Sequence, residues 1–233
     1  MLNNLEIPVG KVTTACRVWN VTVRPLQYGN ILLCGNDNSN VTTACNEIIN
    51  MTYKQKIPCV LMDLGELYLR EYVTYTNLFY TDCPYGYREL LKKLVRSAKE
   101  RMALLKDETF VDKCDSLNLK PFCCVFSEGV IENLDTFDFE LLEKLFQLSR
   151  KTGIFIIVVG DSLLRPIPQS IRENLSYNII IDKFVKITHP DKPDVYAKPI
   201  LKTSEKINCN GSCVRITMFT DLSLYTDLNL SIN

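Results

Sequence analysis

The chemistry this chain could carry is concentrated between Asn30 and Tyr53. Asn30-Ile31-Leu32-Leu33-Cys34 is an apolar run of the length of a buried strand, Gly35 to Asn40 is a polar loop, and Val41 to Tyr53 spaces its apolar residues as a helix does. Strand, loop and helix in that order is the layout of a loop that cradles phosphates. In the pattern G-x-x-x-x-G-K-[ST], backbone N–H groups at the helix start face the anion, the lysine neutralises it and the hydroxyl reaches Mg²⁺. Here the corresponding residues are Gly35-Asn36-Asp37-Asn38-Ser39-Asn40-Val41-Thr42. Gly35 and Thr42 fit. Asn40 stands at the second glycine, Val41 stands at the lysine, and Asp37 adds negative charge where phosphates would lie. The frame is present and the charge chemistry is missing, so an ordinary turn between a strand and a helix fits the same residues.

Other residue types that do chemistry are poorly placed for it. Cys123 and Cys124 are adjacent in a strand-like run, which points them to opposite faces and prevents chelation of one ion. Cys209 and Cys213 flank Asn210-Gly211, a hairpin-turn signal, but no second ligand pair accompanies them, so no metal is expected. The single histidine, His189, precedes Pro190 with no acid or nucleophile beside it; a surface loop position is expected rather than a catalytic triad.

Composition narrows the class. The chain has 233 residues, 46% apolar and 23% charged, enough for a substantial core in one domain. Its 27 basic residues balance 27 acidic ones, so no overall field draws in nucleic acid or anionic lipid. The 10 cysteines, with no signal-peptide pattern in the first twenty or so residues, read as reduced core thiols. The Asn-x-Ser/Thr sites at Asn20, Asn40, Asn50, Asn174, Asn210 and Asn229 then reflect an Asn-rich composition rather than glycosylation. No apolar run reaches the length of roughly 18 residues that a membrane span needs.

The elements that must position the loop follow in order. After an Ile7-Pro8-Val9-Gly10 opening, Ala15 to Val23 reads as an edge strand broken at Arg24-Pro25, and Ile57 to Asp63 as a second buried strand ending in a carboxylate. Tyr72 to Tyr80 alternates weakly, as a further strand. Tyr87 to Asp107 is an amphipathic helix with Arg88, Lys92, Lys93, Arg96, Lys99 and Arg101 on its solvated side. Phe110 to Leu119 is a short helix or loop stopped by Pro121, and Phe122 to Glu128 is a strand entering a loop. Phe137 to Lys151 is a helix closed by Gly153, and Ile154 to Val159 is a β-branched strand of the kind buried on both faces of a parallel sheet. Pro168 to Leu175 reads as a short helix, Tyr177 to Ile181 and Phe184 to Ile187 as strands, and Val214 to Phe219 as a late strand. Strands alternating with helices predict an α/β fold: a mainly parallel sheet with helices on both faces and antiparallel additions at one edge. The organisation expected is an N-terminal edge segment (1–28), a core (29–182) and a C-terminal strand and hairpin extension (183–233).

Taken together, these pieces resemble the FtsK/SpoIIIE family of RecA-like motor ATPases, and within it the tandem ATPase modules of type VII secretion proteins such as EssC. Ile7-Pro8-Val9-Gly10 is similar to the family's I-P-[IV]-G opening, and Gly29-Asn30-Ile31-Leu32-Leu33-Cys34-Gly35 to the strand that leads into its phosphate loop. Val60-Leu61-Met62-Asp63 is similar to its second strand. Lys99-Glu100-Arg101-Met102-Ala103-Leu104-Leu105 is similar to the end of its long helix, and Phe146 to Val159 to its L-x-R-x-x-G-I-H segment, with Phe155 at the usual histidine. The likeness spans roughly residues 7 to 182. It implies a RecA-like P-loop fold and assigns further positions. Ser127-Glu128 stands where the family has Asp-Glu, the aspartate holding the metal shell and the glutamate activating water. Gly160-Asp161-Ser162-Leu163 stands where a glutamine senses phosphate. With lysine, metal-shell aspartate and sensor glutamine all replaced, phosphoryl transfer loses the groups that neutralise its charge. The expectation is a pseudo-ATPase with degenerate positions Gly35, Asn40, Val41, Thr42, Ser127, Glu128 and Asp161, with ATP and Mg²⁺ binding weak or absent. The resemblance further implies a cytoplasmic module of a membrane-anchored secretion motor. Its partners would be neighbouring ATPase domains of a longer chain, further copies of that chain in a homo-oligomer, and secreted substrates or other secretion subunits rather than nucleic acid. The alternative is a divergent ATPase using Thr42, Glu128 and a cation such as Arg150 or Arg165, or a DNA-translocase motor, which the neutral charge disfavours.

Overall fold

The computed structural model describes residues 5–13, 17–35, 38–63, 78–81, 84–160, 167–181, 185–189, 192–199 and 214–215. Its first half runs β1 (Ile7–Thr13), β2 (Val18–Val23), α1 (Pro25–Tyr28), β3 (Asn30–Cys34), α2 (Asn38–Lys54), β4 (Cys59–Met62), β5 (Leu78–Thr81), α3 (Pro84–Leu105) and α4 (Phe110–Lys113). It continues through β6 (Phe122–Ser127), α5 (Glu128–Glu132), α6 (Thr136–Thr152), β7 (Ile154–Gly160), α7 (Gln169–Arg172), β8 (Leu175–Ile181), β9 (Val185–His189), β10 (Lys192–Pro199) and β11 (Val214–Arg215).

All strands join one sheet in the order β11-β5-β4-β6-β7-β3-β8-β9-β10-β1-β2. From β11 to β8 every pairing is parallel, and from β8 to β2 every pairing is antiparallel. The expected α/β architecture is therefore present, with the antiparallel strands drawn from both ends of the described chain. Among the described residues the late strand, β11, pairs parallel with β5 at the far edge. The Asn210-Gly211 turn signal and Cys209 and Cys213 lie outside the described residues, as do Tyr72 to Asn77 of the fifth strand.

Strand alternation sorts the core into two layers. On one face Ile31, Leu33, Cys123, Val125, Phe155, Ile157 and Val159 meet Val41, Cys45, Ile48 and Ile49 of α2. On the other, Cys124, Phe126, Ile156 and Val158 meet Leu90, Leu91 and Leu94 of α3 and Leu142, Leu145 and Phe146 of α6. Cys123 and Cys124 thus point to opposite faces, as the alternation requires. Each fully buried large side chain contributes about 1.5–3 kcal/mol relative to exposure.

The helix ends follow local chemistry. Asp135 caps α6 by accepting from the Asp138 N–H at 2.8 Å, and Gly153 ends it at φ 73°. Thr109 and Asp112 form a capping box at α4, the Asp112 carboxylate accepting the Thr109 N–H at 3.0 Å. Several boundaries differ from the sequence expectation: β8 begins at Leu175, where the end of a short helix was expected, β10 was not expected, and three helix starts moved. α3 begins at Pro84, whose fixed φ suits a first helical turn; α5 starts at Glu128, where a loop was expected; and α2 begins at Asn38, inside the expected polar loop. Asn and Ser are favoured at helix starts, so Asn38 and Ser39 lengthen the helix at the loop's expense.

Candidate site at the carboxyl edge of the sheet

β3, β6, β7 and β8 run parallel and end side by side, with β7 between β3 and β6. Their ends bring Gly35, Ser127-Glu128 and Gly160 to one edge of the sheet, where ligands of open α/β folds bind. The strand that positions Gly35 is pinned by a polar residue inside its apolar run. Buried Asn30 donates through Nδ2 to Ser149 Oγ at 2.9 Å and to the Asn174 carbonyl at 3.1 Å, and its Oδ1 accepts the Ile156 N–H at 2.9 Å. One side chain thereby ties β3 to α6, to β7 and to the turn before β8.

Gly35 is buried, and a Cβ there would strike the Ile181 carbonyl and lie 3.0 Å from Val41 Cγ2. Val41 itself is 0% exposed and belongs to the apolar layer under α2. The position that would carry a phosphate lysine therefore faces the core. Asn40 lies in the first turns of α2, and Thr42 follows, half-buried. With helix already formed at Asn38, positions 38 to 42 of that stretch are wound into α2.

Glu128 is 8% exposed and leans over Gly160, where an added Cβ would lie 2.5 Å from its Oε2. Its carboxylate also reaches Cys34: burial first and Glu128 second push the Cys34 thiol up to about 11. Ser127 is fully buried at the end of β6, and Asp63 is fully buried just beyond β4. Asp161 and Arg165 lie outside the described residues. Arg150 is exposed in the last turn of α6.

The edge opens into a cavity of about 280 Å³ bounded by Leu32, Cys34, Glu128, Val158, Gly160 and residues of α7, β8 and β9. Val41 and Thr42 are not among its walls. The structure thus brings Glu128 to the end of β3 while leaving Val41 in the apolar layer under α2, on the other side of the sheet. Sequence reasoning missed Arg172, Asn178 and Thr188, which line this cavity. Asn178 carried a usable signal, being a polar residue within the apolar run Tyr177 to Ile181.

Two further expectations are corrected. His189 closes strand β9 instead of sitting in a surface loop; it is half-buried, with ring centroids 5.5 Å from Tyr28 and 5.2 Å from Tyr177. Strand alternation carries it to the face those tyrosines cover. Arg101, expected on the solvated side of α3, is 5% exposed and donates to the Lys120 carbonyl at 2.9 Å and the Thr152 carbonyl at 3.0 Å. The Thr152 carbonyl lies at the end of α6, where no later turn of that helix can use it, and the Lys120 carbonyl lies just before β6. Burial lowers the Arg101 pKa to about 10. Elsewhere on the basic face Arg88 pairs with Asp135 and, at 2.7 Å, with Asp138, and Lys92 pairs with Glu89 at 2.8 Å.

No sequence model of a protein family and no curated protein sequence matches the chain. Solved structures do. The conjugation coupling protein TcpA of pCW3, in a monomer form with ATPγS, superposes with a TM-score of 0.68 at 17% identity over 83% of this chain and 65% of its own. EssC (ATPases 2 and 3) from Geobacillus thermodenitrificans gives 0.67 at 14% identity, covering 86% of this chain and 46% of its own. EccC (ATPases 2 and 3) from Thermomonospora curvata, in complex with a signal sequence peptide, gives 0.66 at 13% identity, covering 87% and 41%. The chain has the fold of FtsK/SpoIIIE-type ATPase domains. It spans 41% to 65% of the length of these three structures, and among its described residues no helix is long and apolar enough to cross a membrane. In this FtsK/SpoIIIE-type fold the buried Val41 and the early start of α2 stand at the phosphate-loop positions assigned from the resemblance.

Proposed function

We propose that this domain is a non-hydrolysing, ATPase-like module of a larger secretion or transfer motor. In this reading it belongs to the cytoplasmic part of a membrane-anchored protein, and it works by contact with neighbouring ATPase domains, secreted substrates or other subunits. The observation that carries the proposal is Val41: a branched apolar side chain, fully buried in the α2 layer, at the position from which a lysine would neutralise phosphate charge. Phosphoryl transfer depends on such groups for several orders of magnitude in rate. The balanced charge of 27 basic and 27 acidic residues favours protein over nucleic-acid partners.

The test is calorimetric titration of the purified chain with Mg-ATP beside a phosphate-release assay. The expected result is no binding heat and no release. Tight binding with turnover that disappears in Glu128→Gln would overturn the proposal and make the domain a divergent ATPase built around the surviving glutamate.

A further inference from the structure

Past β8 the sheet continues as four antiparallel strands, β9, β10, β1 and β2, and register fixes which residues share a face there. Lys186 of β9 pairs with Ile180 of β8 and with Tyr196 of β10. Ile180 lines the cavity beside Leu32 and Val158, which belong to the α3 and α6 side of the sheet. Tyr196 stands one alternation from position 198, and Lys198 pairs with Lys11 of β1. Lys11 pairs in turn with Asn20 of β2, and Val18 is one alternation from Asn20. Lys186, Tyr196, Lys11, Asn20 and Val18 therefore lie on one face, the continuation of the α3 and α6 side. That face opens to solvent: Tyr196 and Val18 are 62% and 63% exposed, and Lys11 and Asn20 are exposed as well.

The charge on these strands is one-sided. They carry four lysines, Lys11, Lys186, Lys192 and Lys198, against one acid, Asp194, in a chain whose charges balance overall. Asp194 is taken by Lys186 at 2.9 Å, and the Lys186 ammonium also lies 5.9 Å from the centre of the Tyr196 ring. Lys11 has no ion pair among the described residues, and its register partner is a second lysine. Like charges directly opposite on neighbouring strands repel, and carboxylates supplied from outside relieve that repulsion. Val18 and Tyr196 add apolar area beside the charge. Nucleic acid fits less well, because Tyr196 is the one aromatic residue on this face among the described residues and bases need a succession of rings to stack on. We propose that the open face of the β9-β10-β1-β2 wing docks an acidic protein segment, its carboxylates drawn to the Lys11–Lys198 position and an apolar residue between them packing on Tyr196 and Val18. The inference rests on the proposed reading of the domain as a contact module and gives that module a surface and a partner chemistry.

The test uses the intact chain and fluorescence anisotropy of a labelled peptide that repeats glutamate-glutamate-leucine, beside its glutamine-for-glutamate counterpart, a labelled oligothymidine and phosphatidylglycerol vesicles. The acidic peptide is expected to bind at low salt, at least about tenfold more tightly than the glutamine peptide, and to weaken as salt rises. Lys11→Glu is expected to lower its affinity about tenfold. Lys99→Glu makes the same change of charge at an exposed position of α3 and is expected to leave binding unchanged. Tyr196→Ser is expected to weaken binding without altering its salt dependence, because it removes apolar contact and no charge. All three positions are exposed, so the fold survives these changes. Absence of peptide binding would overturn the proposal, as would an equal loss in Lys99→Glu, which would show a general attraction rather than a surface. Tighter binding of oligothymidine or of the vesicles than of the acidic peptide would also overturn it and assign the face to nucleic acid or to an anionic membrane. Mg-ATP binding has no part in these outcomes, so failure here and failure of the non-hydrolysing reading are told apart.

Discussion

Restoring the missing lysine, by Val41→Lys, tests the proposed loss of phosphate chemistry most directly. Were Val41 at the lip of a nucleotide cleft, the substitution would cost little and would create phosphate affinity. Val41 is instead 0% exposed, with its Cγ2 close to Gly35 and its neighbours Cys45 and Ile48 in the same apolar layer. Removing the buried valine loses about 1.5–3 kcal/mol of burial. Burying an unpaired ammonium costs several kcal/mol more, reduced in part if the lysine loses its proton. The total, about 5 kcal/mol or above, is comparable to the whole stability of a typical domain at about 5–15 kcal/mol. Val41→Ala, which removes burial without adding charge, is expected to cost only about 1–3 kcal/mol. Urea denaturation followed by circular dichroism measures both variants, with Mg-ATP titration of whatever Val41→Lys protein folds. A Val41→Lys protein as stable as the parent that binds Mg-ATP would refute the reasoning, because position 41 would then face the cleft and the phosphate site would need only its lysine.

Asn30→Ala removes the bonds to Ser149, the Asn174 carbonyl and the Ile156 N–H, and strands that buried N–H in the interior. The expected loss is about 2–4 kcal/mol in urea denaturation, and a loss under about 1 kcal/mol would show that water replaces the side chain. The Cys34 thiol, raised from 9.0 to about 11, is expected to alkylate with iodoacetamide at pH 8 about 100-fold more slowly in the folded protein than in urea; fast native labelling mapped to Cys34 would contradict its environment. Because the folded value is raised, the stability that Cys34 contributes is intact below pH 9 and is lost as pH rises through about 11. The difference in stability between the parent and Cys34→Ala should shrink over that window.

Much of the fold was written in local patterns. The apolar run Ile154 to Val159 had to be an interior strand, because an uninterrupted β-branched segment suits a strand buried on both faces. The spacing in α6, with Gly153 after it, fixed a helix and its carboxyl end, while the Asp135 cap at its start came only with the structure. Gly35 and Glu128, far apart in sequence, lie at one edge because parallel strands joined by helices all end on the same side of the sheet.

The sequence by itself determined the order of strands and helices and the absence of a lysine at position 41, since both are properties of residue type and spacing. Tertiary structure alone decided which way the residues at that edge face. Winding α2 from Asn38 turned Val41 into the core, and one step of strand alternation placed Asn178 in the cavity and Tyr177 on the opposite face. Arg101 reads as one more cation on a solvated helix face until the end of α6 is brought against it. His189 reads as a loop residue until β9 pairs with β8 and carries it against Tyr177. A side chain's partner across the chain depends on how distant elements pack, and no local pattern of residues specifies that.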